Sequence, residues 1–148
     1  MKKRLLSLLC AVMLLVSLPG VACASDLDAR ASAYFGYTSV RAYAQSGGKV
    51  LFEIDVDATH TMQEVGASDV YVYEQQSDGS WSNVYTFTKE AHPYLIWTNS
   101  TCAYVDATYQ GTVGKNYYAM VACYAKDSNG SESRYYDTPV VTAKLIVW

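Results

Sequence analysis

The amino-acid sequence predicts an all-β fold, an antiparallel β-sandwich of about seven strands in one domain, and three observations carry that reading. Apolar and polar residues alternate with a period of two, most cleanly over residues 50–57. Turn-forming clusters recur roughly every 8–12 residues, the spacing of an all-β sandwich. No stretch beyond the first 24 residues sustains a long helical period.

The chain opens on a pattern that reads as an export signal. Met1-Lys2-Lys3-Arg4 is basic, an apolar run follows from Leu5 to Leu18, and Pro19-Gly20 breaks it. Ala22-Cys23-Ala24 then offers small residues where a signal peptidase reads them, which places a signal peptide over 1–24 and cleavage before Ser25. A membrane anchor would need roughly 20 apolar residues, more than this run holds. Lipid on Cys23 is a further option, but Gly20 stands where such signals place Leu. The expectation is a secreted, extracellular product without stable membrane insertion after cleavage.

Removing the leader leaves 124 residues (148 − 24), enough for one domain with a real core. Three of the eleven Lys and Arg leave with it and all fourteen acids stay, so the remainder carries −6 (8 − 14). An acidic chain without a basic cluster argues against nucleic acid and anionic membrane surfaces as partners. Cys102 and Cys123 are the cysteines left in an exported chain, which suggests a disulfide. Closing that loop would contribute roughly 3 kcal/mol. Two separate buried thiols are the alternative.

Residues 25–33 are polar and small and read as a flexible N-terminal arm, with the β-domain occupying 34–148. Residues 37–44 alternate and suggest an edge strand, turned by Ser46-Gly47-Gly48. Over 50–57, Val50, Phe52, Ile54 and Val56 point one way and are predicted core, while Leu51, Glu53, Asp55 and Asp57 point out. Residues 58–68 break the alternation. Thr61-Met62-Gln63-Glu64 has capping-box spacing and predicts one helical turn, ended by Gly66. Residues 70–74 resume as a strand, Ser77-Asp78-Gly79-Ser80 is a hairpin turn, and 81–88 return with Trp81 over the hairpin. A connection over 89–100 holds one short apolar piece, 94–97.

Residues 101–109 form the next strand, then Gly111 and Gly114 mark a corner. The stretch 115–126 is predicted as the central strand, its aromatic, β-branched and small residues bounded by glycine and by Asp127-Ser128-Asn129-Gly130. Residues 131–136 are polar and aromatic. Residues 138–147 are predicted as the closing strand, with Pro139 near its start.

Around the central strand the chain resembles the end of a fibronectin type III or immunoglobulin-like module. The resemblance lies in Gly114-Lys115-Asn116-Tyr117-Tyr118, in 125–133 and in Val140-Val141-Thr142-Ala143. It implies a glycine corner, a Tyr-led strand F, a glycine hairpin and strand G, with Tyr117 or Tyr118 as the corner tyrosine whose hydroxyl bonds the backbone upstream. Two departures stand out: 50–57 lacks the core Trp common in fibronectin modules, and the 58–68 insertion is long. Over its whole length the chain is similar to small secreted proteins of Gram-positive gut anaerobes. The similarity lies in 58–62, Val65-Gly66-Ala67, 70–74, Trp81 and Val84-Tyr85-Thr86. It implies secretion and a sandwich, and no activity.

No catalytic constellation emerges, so the chain is read as a non-enzyme without cofactor. His60 and His92 lie far apart and read as loop residues. Cys123 alternates with Val121 and Ala125 as core. Asp55 and Asp57 share an outer strand face with no acid expected opposite them. No Cys-x-x-Cys or His-x-x-x-His exists, and the spacing from Asp127 through Glu132 fails the twelve-residue calcium loop. A weak calcium site using Asp26, Asp28 or Asp55 with Asp57 is not favoured.

Tyrosine is the compositional anomaly, with fourteen Tyr beside three Phe. Alternation sends Tyr117, Ala119, Val121, Cys123 and Ala125 inward and Tyr118, Met120, Ala122 and Tyr124 outward. With Tyr71 and Tyr73 outward on the neighbouring strand, and with Trp81, Tyr135 and Tyr136, a tyrosine-rich sheet face results. Tyrosine is enriched at recognition surfaces, although it also simply fills antiparallel strands well. The expected function is a secreted binding module contacting an extracellular protein or glycan. A self-assembling structural protein is the alternative, and a secreted hydrolase a remote one.

Overall fold

A computed structural model describes residues 32–146; the expected signal peptide and most of the expected N-terminal arm lie outside the described residues. Seven strands carry the fold: β1 (Phe35–Ala44), β2 (Lys49–Gln75), β3 (Trp81–Thr88), β4 (Ile96–Gln110), β5 (Asn116–Lys126), β6 (Ser131–Asp137) and β7 (Val141–Thr142). Among the described residues a single 3-10 turn, Pro93–Leu95, stands before β4. Every pairing is antiparallel.

The organising element is β2 rather than β5. Its first half lies between β1 and β4, in the registers Ile54↔Val40 and Ile54↔Val105. Its second half lies between β3 and β5, in the registers Val70↔Phe87 and Val70↔Val121. β6 and β7 then take successive parts of the other edge of β5. The two halves share one core, in which Val50, Phe52, Ile54 and Val56 meet Val70, Val72, Ala119 and Val121, all fully buried. Each such aliphatic side chain contributes about 1.5–3 kcal/mol by leaving water.

The predicted helical turn at 61–64 is absent; that stretch is extended and belongs to β2. The reason is competition for backbone partners. Glu64, Val65 and Gly66 pair with both β4 and β5, so their amides and carbonyls are satisfied across the sheet. The Glu64 carboxylate, which a capping box would turn back on the helix start, instead holds Lys89 at 3.1 Å and Lys126 at 3.8 Å. Met62 is fully buried, so extension also gains a core side chain. Gly66 does not end a helix. It sits at φ +147° with its bare Cα against the carbonyl of Leu95, where any Cβ would collide. Register breaks between Asp57 and Met62, and again at Ser68, bend the strand so that one continuous chain serves both halves.

Three further expectations need correction. β4 begins at Ile96, because residues 96–98 pair with 64–66 of the longer β2. Of the predicted closing strand only Val141–Thr142 pairs, since β6 already occupies β5 from Met120 to Lys126. Pro139 brings no amide to that edge. The segment is nonetheless tied down. Thr138 exchanges its amide and hydroxyl with the backbone of Ala119, both at 2.9 Å, and the amides of Gly47 and Gly48 donate to Leu145 and Lys144. Finally, Cys102 and Cys123 are free thiols and not a disulfide. Cys123 faces the core and burial pushes its thiol up to about 12, whereas Cys102 is exposed on the outward side of β4.

Candidate functional site

The β3–β2–β5–β6 half turns its outward side into the face that alternation predicts. Register sets Tyr73 beside Tyr118 and Tyr71 beside Met120, while Ala122 stands beside Tyr135 on β6. The Tyr73 and Tyr118 rings stack with centroids 4.9 Å apart and planes 9° apart. Trp81 meets Tyr118 edge-on at 4.8 Å and 88°, completing a three-ring cluster in favourable geometry. Below it, Asn116 donates to Gln75 at 3.0 Å and accepts from Thr142 at 2.6 Å, so a polar ladder braces the end of the cluster.

Beside Trp81 and Tyr118 a shallow depression of about 240 Å³ is completed by Asp137, Thr138 and Val140. Burial, then the Asp137 carboxylate and the neighbouring Tyr73, hold the Tyr118 phenol above its usual range. The end of β6 and the loop that follows it supply the depression's far wall. Sequence reading missed these residues because it took 138–147 for one strand, whose turn away from β5 at Pro139 is a tertiary event.

The remaining predicted residues divide. Tyr71 lies on the same face, its phenol raised by burial and then by Asp69. Tyr135 is the most exposed of the set at 61 %. Tyr124 stands apart under Lys89, whose ammonium sits 4.1 Å from the ring centre. Tyr136 does not belong to the face. It lies across from Val121 and packs against the core, so its neighbour Tyr135 alone points outward.

Tyr117, rather than Tyr118, makes the upstream hydroxyl contact that the resemblance implies. Its oxygen accepts the Thr112 amide at 2.8 Å and donates to Glu74 at 2.6 Å. Gly111 makes room for it, since a Cβ there would lie 2.8 Å from the ring.

Both histidines have defined surroundings that sequence reading did not foresee. His60 lies in β2 rather than a loop, with Nε2 3.0 Å from Asp127 and Nδ1 3.0 Å from the Thr59 hydroxyl. The trio resembles a hydroxyl–imidazole–carboxylate relay, but the single Thr59 proton goes to the Ala33 carbonyl at 2.6 Å. Asp127 is also engaged by the Asn129 and Gly130 amides at 2.7 and 3.0 Å, which hold its carboxyl below the usual range and shape the β5–β6 turn. The arrangement ties the entry of β1 to that turn. His92 is in a loop as expected, packed against Phe87 and Tyr94 at 5.1 and 5.7 Å, with Nε2 3.3 Å from the Tyr85 hydroxyl. Among the described residues, no group of three or more His, Cys, Asp or Glu is placed to hold a metal ion, and no helix is long and apolar enough to cross a membrane.

No protein-family model matches this chain, and no curated protein is significantly similar to it.

Proposed function

We propose that this chain is an exported, non-enzymatic binding module with an immunoglobulin/fibronectin type III-like β-sandwich, and that it holds extracellular glycan in the depression beside Trp81. The leader pattern of residues 1–24 supports export. The grouping of β1, β2 and β4 against β2, β5 and β6 corresponds to strands A, B, E and C, F, G of such a sandwich, with β3 on the free edge beside the second half of β2. In this reading β2 is strands B and C without a break, and Tyr117 is the corner tyrosine.

The observation that carries the ligand class is the Trp81–Tyr118 corner opening onto Asp137. A pyranose ring has an apolar C–H face that packs on an aromatic ring and hydroxyls that donate to a carboxylate. A small depression with two rings and one acid offers both, at low entropic cost because Tyr73 and Tyr118 already brace each other. The size, about 240 Å³, suits one end or one unit of a chain rather than a protein segment.

A glycan array probed with residues 25–148 tests the reading. Expected are hits that Trp81→Ala and Tyr118→Ala each weaken by roughly thirtyfold or more, as for a hot-spot aromatic, with the β-sheet circular dichroism retained. An array without hits, or hits indifferent to both substitutions, would contradict it.

A further inference from the structure

We infer that the outward face of the β1–β2–β4 half docks an extended basic polypeptide segment, one presenting lysine or arginine at alternate positions. This surface is separate from the Trp81 depression and shares no residue with it. Along β2, Glu53, Asp55 and Asp57 alternate with the buried Phe52, Ile54 and Val56, so all three carboxylates point away from the core. Residues two apart on a strand are separated by about 6.8 Å. The three acids therefore form a line with the spacing at which an extended peptide presents every second side chain. Asp106 adds a fourth carboxylate directly across from Glu53. That neighbour was not foreseen from the sequence, and it shows that the acids are concentrated on one side of the half.

Among the described residues Arg41 is the cation inside this face: it lies 4.0 Å from Glu53, on the same outward side of β1 as Tyr43 and Tyr37, and is itself half-exposed. Lys49 lies at the far end of the strand opposite Gln110, so the line from Asp55 to Asp57 keeps its negative charge. Burial, and then the adjacent Glu53 charge, raise the Asp106 carboxyl above its usual range.

The second component is aromatic. Tyr37, Tyr43 and Tyr104 are 51 %, 43 % and 49 % exposed, and among the described residues no other ring packs on them. Tyr37 stands across from Asp57, and Tyr104 across from Asp55. A lysine or arginine entering between such a ring and its carboxylate gains a cation–π contact together with an ion pair. Other occupants fit less well. Four carboxylates repel nucleic acid and anionic lipid. Acids about 7 Å apart along a strand diverge too far to close on one metal ion, in accord with the lack of a ligand cluster among the described residues.

The test uses residues 25–148 and a fluorescent peptide of alternating lysine and serine, about ten residues long so that it spans the acidic line. The comparison peptide has the same composition with its lysines contiguous. Fluorescence anisotropy at low ionic strength is expected to show tighter binding of the alternating peptide. Glu53→Gln, Asp55→Asn and Asp57→Asn are expected to weaken it by up to about fivefold each, the range for exposed charge pairs. Tyr37→Ala and Tyr104→Ala should each weaken it by about two- to fivefold. Trp81→Ala should leave it unchanged, which separates this face from the glycan site. Equal binding of the two peptides would reduce the effect to diffuse charge attraction and overturn the inference, and that comparison needs no variant to fold. Unaltered binding in the triple carboxylate variant, or in the two tyrosine variants, would overturn it as well.

Discussion

The two outward faces of this molecule are both rich in tyrosine, yet they use it in opposite ways. On the β3–β2–β5–β6 side, Tyr73 and Trp81 each hold their ring centroid within 5 Å of Tyr118, so the three form one cluster around it. On the β1–β2–β4 side, the acids of β2 stand between Tyr37 and Tyr104, Arg41 stands between Tyr37 and Tyr43, and the three rings stay about half exposed. The same strand, β2, supplies the middle of both faces. The contrast therefore comes from the neighbours that each half of β2 acquires rather than from its own composition. Cross-strand pairing sets whether an aromatic becomes part of a rigid platform or an isolated handle.

The junction between the halves is the most sensitive place to break that arrangement. Gly66→Ala forces a Cβ into the Leu95 carbonyl at a positive φ, and is expected to destabilise the protein by about 3 kcal/mol or more. Urea denaturation would measure it, and a change within 0.5 kcal/mol would mean that the two halves are not locked through this glycine.

A smaller effect sharpens the comparison itself. Tyr118→Ala loses two ring contacts of about 0.5–1.5 kcal/mol each, whereas Tyr104→Ala loses none and should stay within about 0.5 kcal/mol of the parent. Equal losses in the same urea experiment would erase the distinction between platform and handle.

Thiol chemistry reports on the two halves without a substitution. Iodoacetamide should modify Cys102 in the folded protein and leave Cys123 untouched until unfolding, because Cys123 is buried with its thiol pushed up to about 12. Mass spectrometry of the native adduct of residues 25–148, which hold these two cysteines, counts one label. No label in the folded protein would restore the disulfide expected from the sequence.

The smallest expected effect is a pH dependence at the β5–β6 turn. The Asn129 amide, then the His60 and remaining turn contacts, hold Asp127 below the ordinary carboxylate range. In acid the unfolded chain therefore binds the proton that the folded chain resists, so this contribution is present above the ordinary Asp range and is lost as pH falls through the lowered value. Asp127→Asn should flatten the fall in stability on acidification; an unchanged slope would remove Asp127 from that account.

What the sequence made legible was local. The alternation of Val50, Phe52, Ile54 and Val56 follows from the two-residue strand period and holds in the structure, as does the split of 117–125 into an inward and an outward set except at Ala122, which was expected outward and is fully buried. The Ser77–Ser80 turn and the bounds of β3 were readable for the same reason. What was illegible was decided by partners distant in the chain. The capping-box spacing at 61–64 lost to pairing with β4 and β5, and Tyr136 faces the core because it pairs with Val121. Asp106 came to lie beside Glu53 only through register. Most of the outward tyrosines were foreseen, Tyr136 excepted, but not the wall of the depression, since Asp137 stands at the very end of β6 and Thr138 and Val140 follow it.

The most direct test of the glycan reading is a two-dimensional NMR titration of residues 25–148 with the strongest array ligand. The Trp81 indole signal and the amides of Tyr118, Asp137 and Thr138 are expected to shift, while those of Glu53 and Tyr104 stay in place. Shifts confined to the β1–β2–β4 side, or a Trp81 indole that does not move at saturating ligand, would contradict the assignment of the binding platform.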